Sequence, residues 1–336
     1  MLETERADAG APPDAALADL STETLLRLYK RLLLLRRFEE RVYYLFLQGE
    51  IPGTVHQYQG QEAVAVGICD HLSATDWITS THRPHGHAIA KGITPRAALA
   101  ELYARETGCC RGKGGSMHLG DPTVGMLPAI AIVGGGNTVV TGMGLAFKLR
   151  RSGQAAVCFF GEGATNEGAF HEGLNFAAVQ HLPIVFVCEN NLYGASTPYH
   201  QVSLVTDVAE RAHAYGVPGY TADGMDVLSV REVGGRAIAE ARAGRGPILL
   251  ECKTYRFIGH SRGDARGYRT RDEEAFWAEK DPILRLGRAM TAAGRAQESD
   301  LSRLEDEVTA ELDDAVDFAR QSPHPAPEQA LEDVYA

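Results

Sequence analysis

The residues of this chain whose types and spacing could do chemistry gather in the run FFGEGATNEG, where Gly161 and Gly163 flank Glu162 directly after an apolar stretch. Glycine turns that follow strands commonly receive phosphates, and a carboxylate there repels a phosphate. Three readings of the run compete. A dinucleotide site needs G-x-G-x-x-G, with an acid such as Glu189 for the ribose, but the third glycine is displaced to Gly168. A purely structural turn is the default for a lone glycine pair. The third reading joins Glu162 to the ENN run at Glu189, Asn190 and Asn191, which closes the next apolar stretch. Carboxyl ends of adjacent parallel strands lie side by side, so Glu162 and Asn191 can converge at one sheet edge. A carboxylate oxygen and an amide oxygen are hard ligands for Mg²⁺ or Ca²⁺, and Mg²⁺ readily adds phosphate oxygens. A metal between Glu162 and a diphosphate reverses the sign of their interaction.

Other runs invite weaker readings. THRPHGH places His82, Arg83, His85 and His87 close together, but their spacing fits no zinc pattern and no cysteine accompanies them. His87 reads as structural. RGKGGSMH fails as a P-loop, because Gly114 rather than Ser or Thr follows Lys113. His56 in VHQYQGQE stands alone, and by itself reads as a satisfied polar loop residue. YRFIGHSRGDARGYRTR is polar and basic, as a solvated loop would be.

The elements that must position these residues follow from pattern. STETLLRLYKRLLLLRRFEERVYYLFLQG has helical periodicity, with Ser21 as N-cap and Gly49 as stop. A short helix starts near Gln61, DWITS is a strand, and TPRAALAELYARETG is a helix capped by Thr94 with Pro95 in its first turn. AAVCFF, then TNEGAFHEGLNFAAVQHL, then PIVFVCEN form a strand–helix–strand unit with buried strands, the mark of a parallel sheet. PILLECKTYR supplies a further strand. The chain after Arg271 is charged and amphipathic and reads as helices to about Arg320.

The expected organisation is a disordered arm over 1–20, a single domain over 21–320 that is helical from about 272, and a loose tail over 321–336. A net charge of −11 gives no drive toward nucleic acid or anionic membrane. No apolar run approaches a membrane span, and the N-terminus lacks the marks of a signal or transit peptide. A cytoplasmic protein is expected. The adjacent Cys109 and Cys110 show no metal-ligand spacing, and all six cysteines are expected to be reduced.

A glycine–acid–glycine turn, a helix and a strand ending in Asn-Asn resemble the diphosphate-and-magnesium motif of thiamin diphosphate enzymes. With GTVHQYQGQEAVAVG, STHRPHGHAIAKG, RGKGGSMHLGD, GMLPAIAIVGGG, VFVCENNLYGASTP and TYRFIGHSRGDARGYRTRDE, the pattern resembles the α subunit of the E1 component of 2-oxo acid dehydrogenase complexes. It is most similar to the pyruvate and acetoin types. The resemblance implies an α/β thiamin diphosphate-binding fold, with a central mostly parallel sheet flanked by helices on both faces. It implies thiamin diphosphate and Mg²⁺, the metal held by Glu162 and Asn191 side chains and the Tyr193 carbonyl. Gly163 and Ala164 amides, His82, Arg83, Arg256 and His260 would face the cofactor, with Ala131 and Val133 beside its thiamin part. His260 and His56 would be the catalytic histidines, His56 near the substrate carboxylate.

Ser261 matches a serine that is phosphorylated in some animal relatives. The glutamate that activates the cofactor lies on a β subunit in this family, so the resemblance implies an α₂β₂ tetramer that is inactive as α alone. Its substrate would be a small 2-oxo acid or acetoin, and its acceptor a lipoyl-bearing E2 acyltransferase. Glu162 stands where pyruvate and acetoin types mostly carry Asp, and Ala131 where glycine is usual, so an unusual substrate is possible. An acyloin-forming or acyloin-cleaving enzyme without lipoyl transfer, a nicotinamide oxidoreductase and a catalytically silent partner subunit stay open as alternatives.

Overall fold

The computed structural model describes residues 17–261 and 263–332. Five parallel strands form the central sheet: β1 (Trp77–Thr79), β2 (Ala156–Gly161), β3 (Ile184–Asn190), β4 (Gly219–Asp223) and β5 (Ile248–Lys253). Their order across the sheet is β1-β2-β3-β5-β4. The register pairs Thr79 with Cys158, Gly161 with Glu189 and Asn190 with Lys253, so four neighbouring strands end near one edge.

Both faces of the sheet are covered, which explains why its strands are continuous apolar runs. Side chains alternate between two cores, as the period of two requires. Cys158, Phe160, Phe186 and Cys188 join one core with helices α5 (Gly135–Arg150) and α6 (Gly168–Val179). Val157, Phe159, Val185, Val187 and Leu250 join the other. There they meet α1 (Thr22–Leu47), α2 (Glu62–Cys69), α4 (Pro95–Leu102), α7 (Val227–Glu240) and α10 (Glu298–Gln321). The expected α/β fold with helices on both faces is what forms.

Local signals hold where capping chemistry is explicit. The Ser21 hydroxyl accepts the Thr24 N–H at 3.1 Å at the start of α1, and Thr94 caps α4 by accepting the Ala97 N–H at 3.2 Å. The helix expected from TPRAALAELYARETG ends early, at Leu102. α3 (His85–Lys91), α8 (Arg271–Ala278) and α9 (Pro282–Ala292) complete the main helices.

Four elements lie outside the sequence-derived pattern: α3, which starts at His85 within THRPHGH, the edge strand β4, α7, which follows it, and α5. Gly144 is required in α5 because a Cβ there would stand 2.6 Å from Ile184. Gly144 is therefore a close-packing position, whereas Gly142 of the same helix has open space beside it. The stretch expected to be one helix from Thr165 is a 3₁₀ turn over Glu162–Asn166 followed by α6, with Glu167 extended at φ −86° and ψ 141°.

Leu17 is buried, and Arg295 donates to its carbonyl at 3.3 Å. At the other end the Glu106 N–H binds the Pro323 carbonyl at 3.0 Å, and Arg111 pairs with Glu332 at 2.7 Å. Leu17 falls within the expected arm and Pro323 and Glu332 within the expected tail, so these parts make defined contacts, while residues 1–16 and 333–336 lie outside the described residues. Among the described residues, no helix is long and apolar enough to cross a membrane.

Candidate functional site

Four strand ends deliver the predicted residues to one edge. β1 runs into His82 and Arg83, β2 into Glu162, β3 into Asn191, and β5 into Arg256 and the loop bearing His260. The ends of β3 and β5 are stitched by the Thr254 N–H, which binds the Asn190 carbonyl at 2.9 Å. After β3 the chain turns through a short hairpin, Tyr193–Gly194 against Thr197–Pro198.

Glu162 is 1% exposed and has no cationic partner in ion-pair contact among the described residues. Its Oε2 accepts the Asn191 N–H at 3.0 Å. Burial raises its pKa, against the Asn191 amide, weaker help from its own and the Gly163 amides, and the charge of Arg256. Asn191 donates through Nδ2 to Gln61 at 3.2 Å, while its buried Oδ1 has no partner. An orphaned buried acceptor beside a buried, unpaired carboxylate is costly unless something electropositive occupies the space between them. Hard oxygen donors of this kind suit Mg²⁺. The longer side chain of Glu162 is accommodated because it reaches the Asn191 amide of the neighbouring strand.

Facing these acceptors are two buried guanidiniums. Arg83 and Arg256 are 4% and 2% exposed, and among the described residues neither pairs with a carboxylate. Arg83 donates to the Gln57 carbonyl at 2.8 Å and to the His260 carbonyl and ring. Arg256 donates to the carbonyls of Ile258 and Ala195 at 3.1 and 3.0 Å and to the Tyr268 hydroxyl at 3.1 Å. Burial, followed by the charge of Arg256, pulls the pKa of Arg83 down to about 9. Two buried cations with only neutral partners are a strong anion site.

Three imidazoles meet at the same edge. Ring centroids of His56 lie 5.0 Å from His82 and 5.1 Å from His260, and those two are 5.5 Å apart. His56 Nδ1 and His82 Nε2 are buried without partners. Burial and then Arg83 lower His56 to about 4, His82 to about 2 and His260 to about 4. His260 is thus held neutral in the chain alone, and an anion bound against Arg83 and Arg256 would raise its pKa again. Because the folded values are depressed, the unfolded chain binds more protons between pH 6.5 and about 4. Stability is therefore expected to fall as pH drops through that window. A thermal melt series with cofactor absent checks this, and His56→Gln should flatten the slope.

The loop after β5 is held closed by its own contacts. The Asp264 carboxylate accepts the His260 N–H and the Tyr268 hydroxyl, each at 2.6 Å. Arg269 donates to the Arg256 and Ile258 carbonyls at 2.6 and 3.0 Å. Its guanidinium carbon lies 5.0, 4.7 and 5.4 Å from the ring centres of Tyr193, Tyr255 and Tyr268. Both Tyr193 and Tyr255 donate their hydroxyls to Glu273. Arg269 thereby joins the hairpin that carries Tyr193 to the loop that carries His260. Arg269→Ala is expected to weaken cofactor binding about tenfold, as loss of a supporting partner does, and to speed proteolysis of the loop. Cofactor titration and limited proteolysis check it.

The structure leaves Val133 exposed and Ala131 half-buried, just before α5. That segment is tied to the end of β1 by the Ile130 N–H on the Ser80 carbonyl at 3.1 Å. Ser261 is half-buried at the turn of the His260 loop. Sequence reasoning missed Gln61, which orients Asn191, and Arg269 with its tyrosines. Only the Tyr-Arg-Thr-Arg run hinted at the latter. His87 is structural: it stacks on Phe159 at 4.0 Å and bridges Ser80 and Glu189 at 2.8 and 3.0 Å. Glu189 also accepts the Tyr58 hydroxyl, so this acid is spent inside the core and is not placed for a ribose.

An edge with unpaired acceptors beside unpaired guanidiniums suits a cation together with an anion, and with Glu189 spent in the core it offers no acid for a dinucleotide's ribose. The chain belongs to the dehydrogenase E1 component family, which it matches over residues 30–328. It is 48% identical to the α subunit of acetoin:2,6-dichlorophenolindophenol oxidoreductase of Bacillus subtilis, covering 94% of this chain and 95% of that protein. It is 46% identical to the subunit of the same name from Cupriavidus necator, over 97% and 98% of the two chains. To the chloroplastic pyruvate dehydrogenase E1 component subunit alpha-3 of Arabidopsis thaliana it is 41% identical, over 94% and 76%. The chain is thus an E1 α-type subunit of a thiamin diphosphate-dependent oxidoreductase.

Proposed function

We propose that this chain, with a β subunit, cleaves a small acyloin such as acetoin and passes the acyl fragment to a lipoyl group on an E2 partner. The observation that carries the cofactor role is the pairing of Glu162 and the partnerless Asn191 Oδ1 with two unpaired buried guanidiniums at adjoining strand ends. Glu162, Asn191 and the Tyr193 carbonyl would hold Mg²⁺. Arg83, Arg256, His82 and the Gly163 and Ala164 amides would face the diphosphate, with Ala131 and Val133 near the ring portion. Thiamin diphosphate, when bound, supplies the carbon nucleophile that takes up the acyl fragment. His260 holds Arg83 through Nδ1, which leaves Nε2 to carry a proton toward the substrate. His56 Nδ1 and His82 Nε2 offer neutral hydrogen-bonding groups.

That neutral imidazole trio supports an acyloin over a 2-oxo acid. A substrate carboxylate wants a cation, and the site's two buried guanidiniums are needed by the diphosphate. A pyruvate-type reaction is the second reading, favoured by the likeness to pyruvate dehydrogenase α chains. Comparing kcat/KM for acetoin and pyruvate on the α–β assembly separates the two, with acetoin expected to lead. Titration of the assembly with thiamin diphosphate tests the cofactor role: saturable binding with Mg²⁺ that EDTA abolishes is expected, and binding indifferent to EDTA refutes the metal ligands.

The exposed Ile132 and Val133, beside Val139 on α5, would be covered by the β subunit. The α chain alone is expected to show no turnover. The charge and composition support a cytoplasmic location without nucleic-acid or membrane partners.

A further inference from the structure

Cys109 and Cys110 take no part in the site above, yet they differ from the other four cysteines in being only half-buried. Their sulfurs and a Glu101 carboxylate oxygen lie within 4.8 Å of one another. That spacing would suit a soft metal ion, but Glu101 is already spent. Its Oε2 accepts the Cys110 and Gly112 N–H groups at 2.8 and 2.9 Å, and its Oε1 accepts those of Gly114 and Gly115 at 2.7 and 3.0 Å. What remains is a dithiol on a loop pinned from below by one buried carboxylate.

We propose that Cys109 and Cys110 form a thiol modification site that a hydroperoxide converts reversibly to a vicinal disulfide, and that closure loosens the cofactor pocket. In the first step one cysteine sulfur attacks the peroxide, the O–O bond breaks, and a sulfenic acid and water form. In the second, the neighbouring thiol displaces hydroxide from that sulfur, giving the S–S bond and a second water. Both sulfurs are oxidised by one electron each and the peroxide takes both. The neighbouring thiol resolves the sulfenic acid without a partner protein, and the Cys109 side chain beside it holds the Cys110 thiol below its ordinary pKa, easing its deprotonation on attack. The other cysteines, all 5% exposed or less, are shielded from the same reagent.

The link to the pocket is a chain of contacts. The Cys110 sulfur lies 3.2 Å from the His118 carbonyl and 3.4 Å from that of Gly120, and its single S–H donates to one of them at a time. His118 Nδ1 in turn binds the Ala129 carbonyl at 2.8 Å, and the Ala129 N–H binds Leu119 at 2.9 Å. Ala129 and Ile130 lead directly into Ala131 and Val133. A disulfide has no S–H to donate, and its bond length of about 2.05 Å draws the Cys110 sulfur toward Cys109. The S–H contact is lost, and the 118–120 end of the segment that leads to Ala131 loses one of its ties, while the Ile130 bond to Ser80 remains. The coupling to the pocket rests on the proposed cofactor site; the disulfide itself does not.

The test treats the full-length chain, co-expressed with its β subunit, with hydrogen peroxide. The 109–110 peptide is then mapped by mass and thiamin diphosphate is titrated. Expected are a peptide lighter by two hydrogens, cofactor affinity reduced about tenfold, within the usual range of coupling between sites, and recovery of both by dithiothreitol. Cys109→Ser and Cys110→Ser should each bind cofactor normally before treatment and keep that affinity after it, the second retaining a donor for His118. Free thiols at 109 and 110 after treatment overturn the modification site. A disulfide without change in affinity, or an equal loss in both variants, overturns the coupling. If reduced wild-type protein binds no thiamin diphosphate, the cofactor assignment fails, while the peptide mass still decides the disulfide.

Discussion

Glu162→Gln is expected to leave the fold intact and to abolish metal-dependent cofactor binding. Glutamine keeps the volume and keeps an acceptor for the Asn191 N–H, so the 3.0 Å contact between the two strand ends survives. It removes a buried unpaired charge, whose desolvation weighs on the cofactor-free fold. The melting temperature without cofactor should therefore hold or rise. Loss of a partner merely outside the coordination sphere costs about 10–100-fold in metal affinity, so loss of the charged ligand should cost at least about 100-fold. Turnover should fall with occupancy. A variant that unfolds, or that binds cofactor and metal as the wild type does, contradicts the assignment. The two failures are separable by melting and by titration.

The second large effect is on His260. His260→Ala removes the imidazole that accepts from Arg83 at 3.2 Å, but the backbone carbonyl of residue 260 still holds the same guanidinium. Arg83 should then stay in place, and thiamin diphosphate should bind within a few-fold of normal. The proton-handling role is lost, and removal of a positioned acid–base group lowers kcat by about 10²–10⁴-fold. A split between near-normal binding and a large fall in kcat marks a catalytic group. Equal falls in affinity and kcat would instead mark His260 as a support for Arg83. The pH profile adds a readout: wild-type turnover should depend on a group titrating above the value of about 4 that His260 has in the chain alone, since bound anion offsets Arg83.

Much of the site was legible because its metal half is local. The β2–α6–β3 unit is written in continuous apolar runs with polar residues at their ends, and strand adjacency brings Glu162 to Asn191. The anion half was not legible from residue pattern. Arg83 and Arg256 stand far apart in sequence, and only the order β1-β2-β3-β5 places their strand ends near one edge. The resemblance to a family supplied them. α5 was invisible for a packing reason. Gly144 admits the Ile184 side chain, and a glycine inside a run lowers its helical signal unless such a neighbour is known. Arg269 was hidden differently: a cation caged by three tyrosines leaves no charge partner in the sequence to find it by.

The question raised by a glutamate where a shorter aspartate is usual has a geometric answer in the same contacts. Glu162 reaches across to the backbone of the next strand, so its carboxylate is fixed by an amide that Asn191 itself provides. Glu162 and Asn191, the proposed metal ligands, are thus braced against each other, as a preorganised site requires.

The most direct measurement is anomalous diffraction from the α–β assembly crystallised with thiamin diphosphate and Mn²⁺ in place of Mg²⁺. The predicted result is one strong peak per α chain, in coordination contact with the Glu162 carboxylate, Asn191 Oδ1 and the Tyr193 carbonyl. A peak held by other residues, or cofactor bound with no peak at this edge, would contradict it.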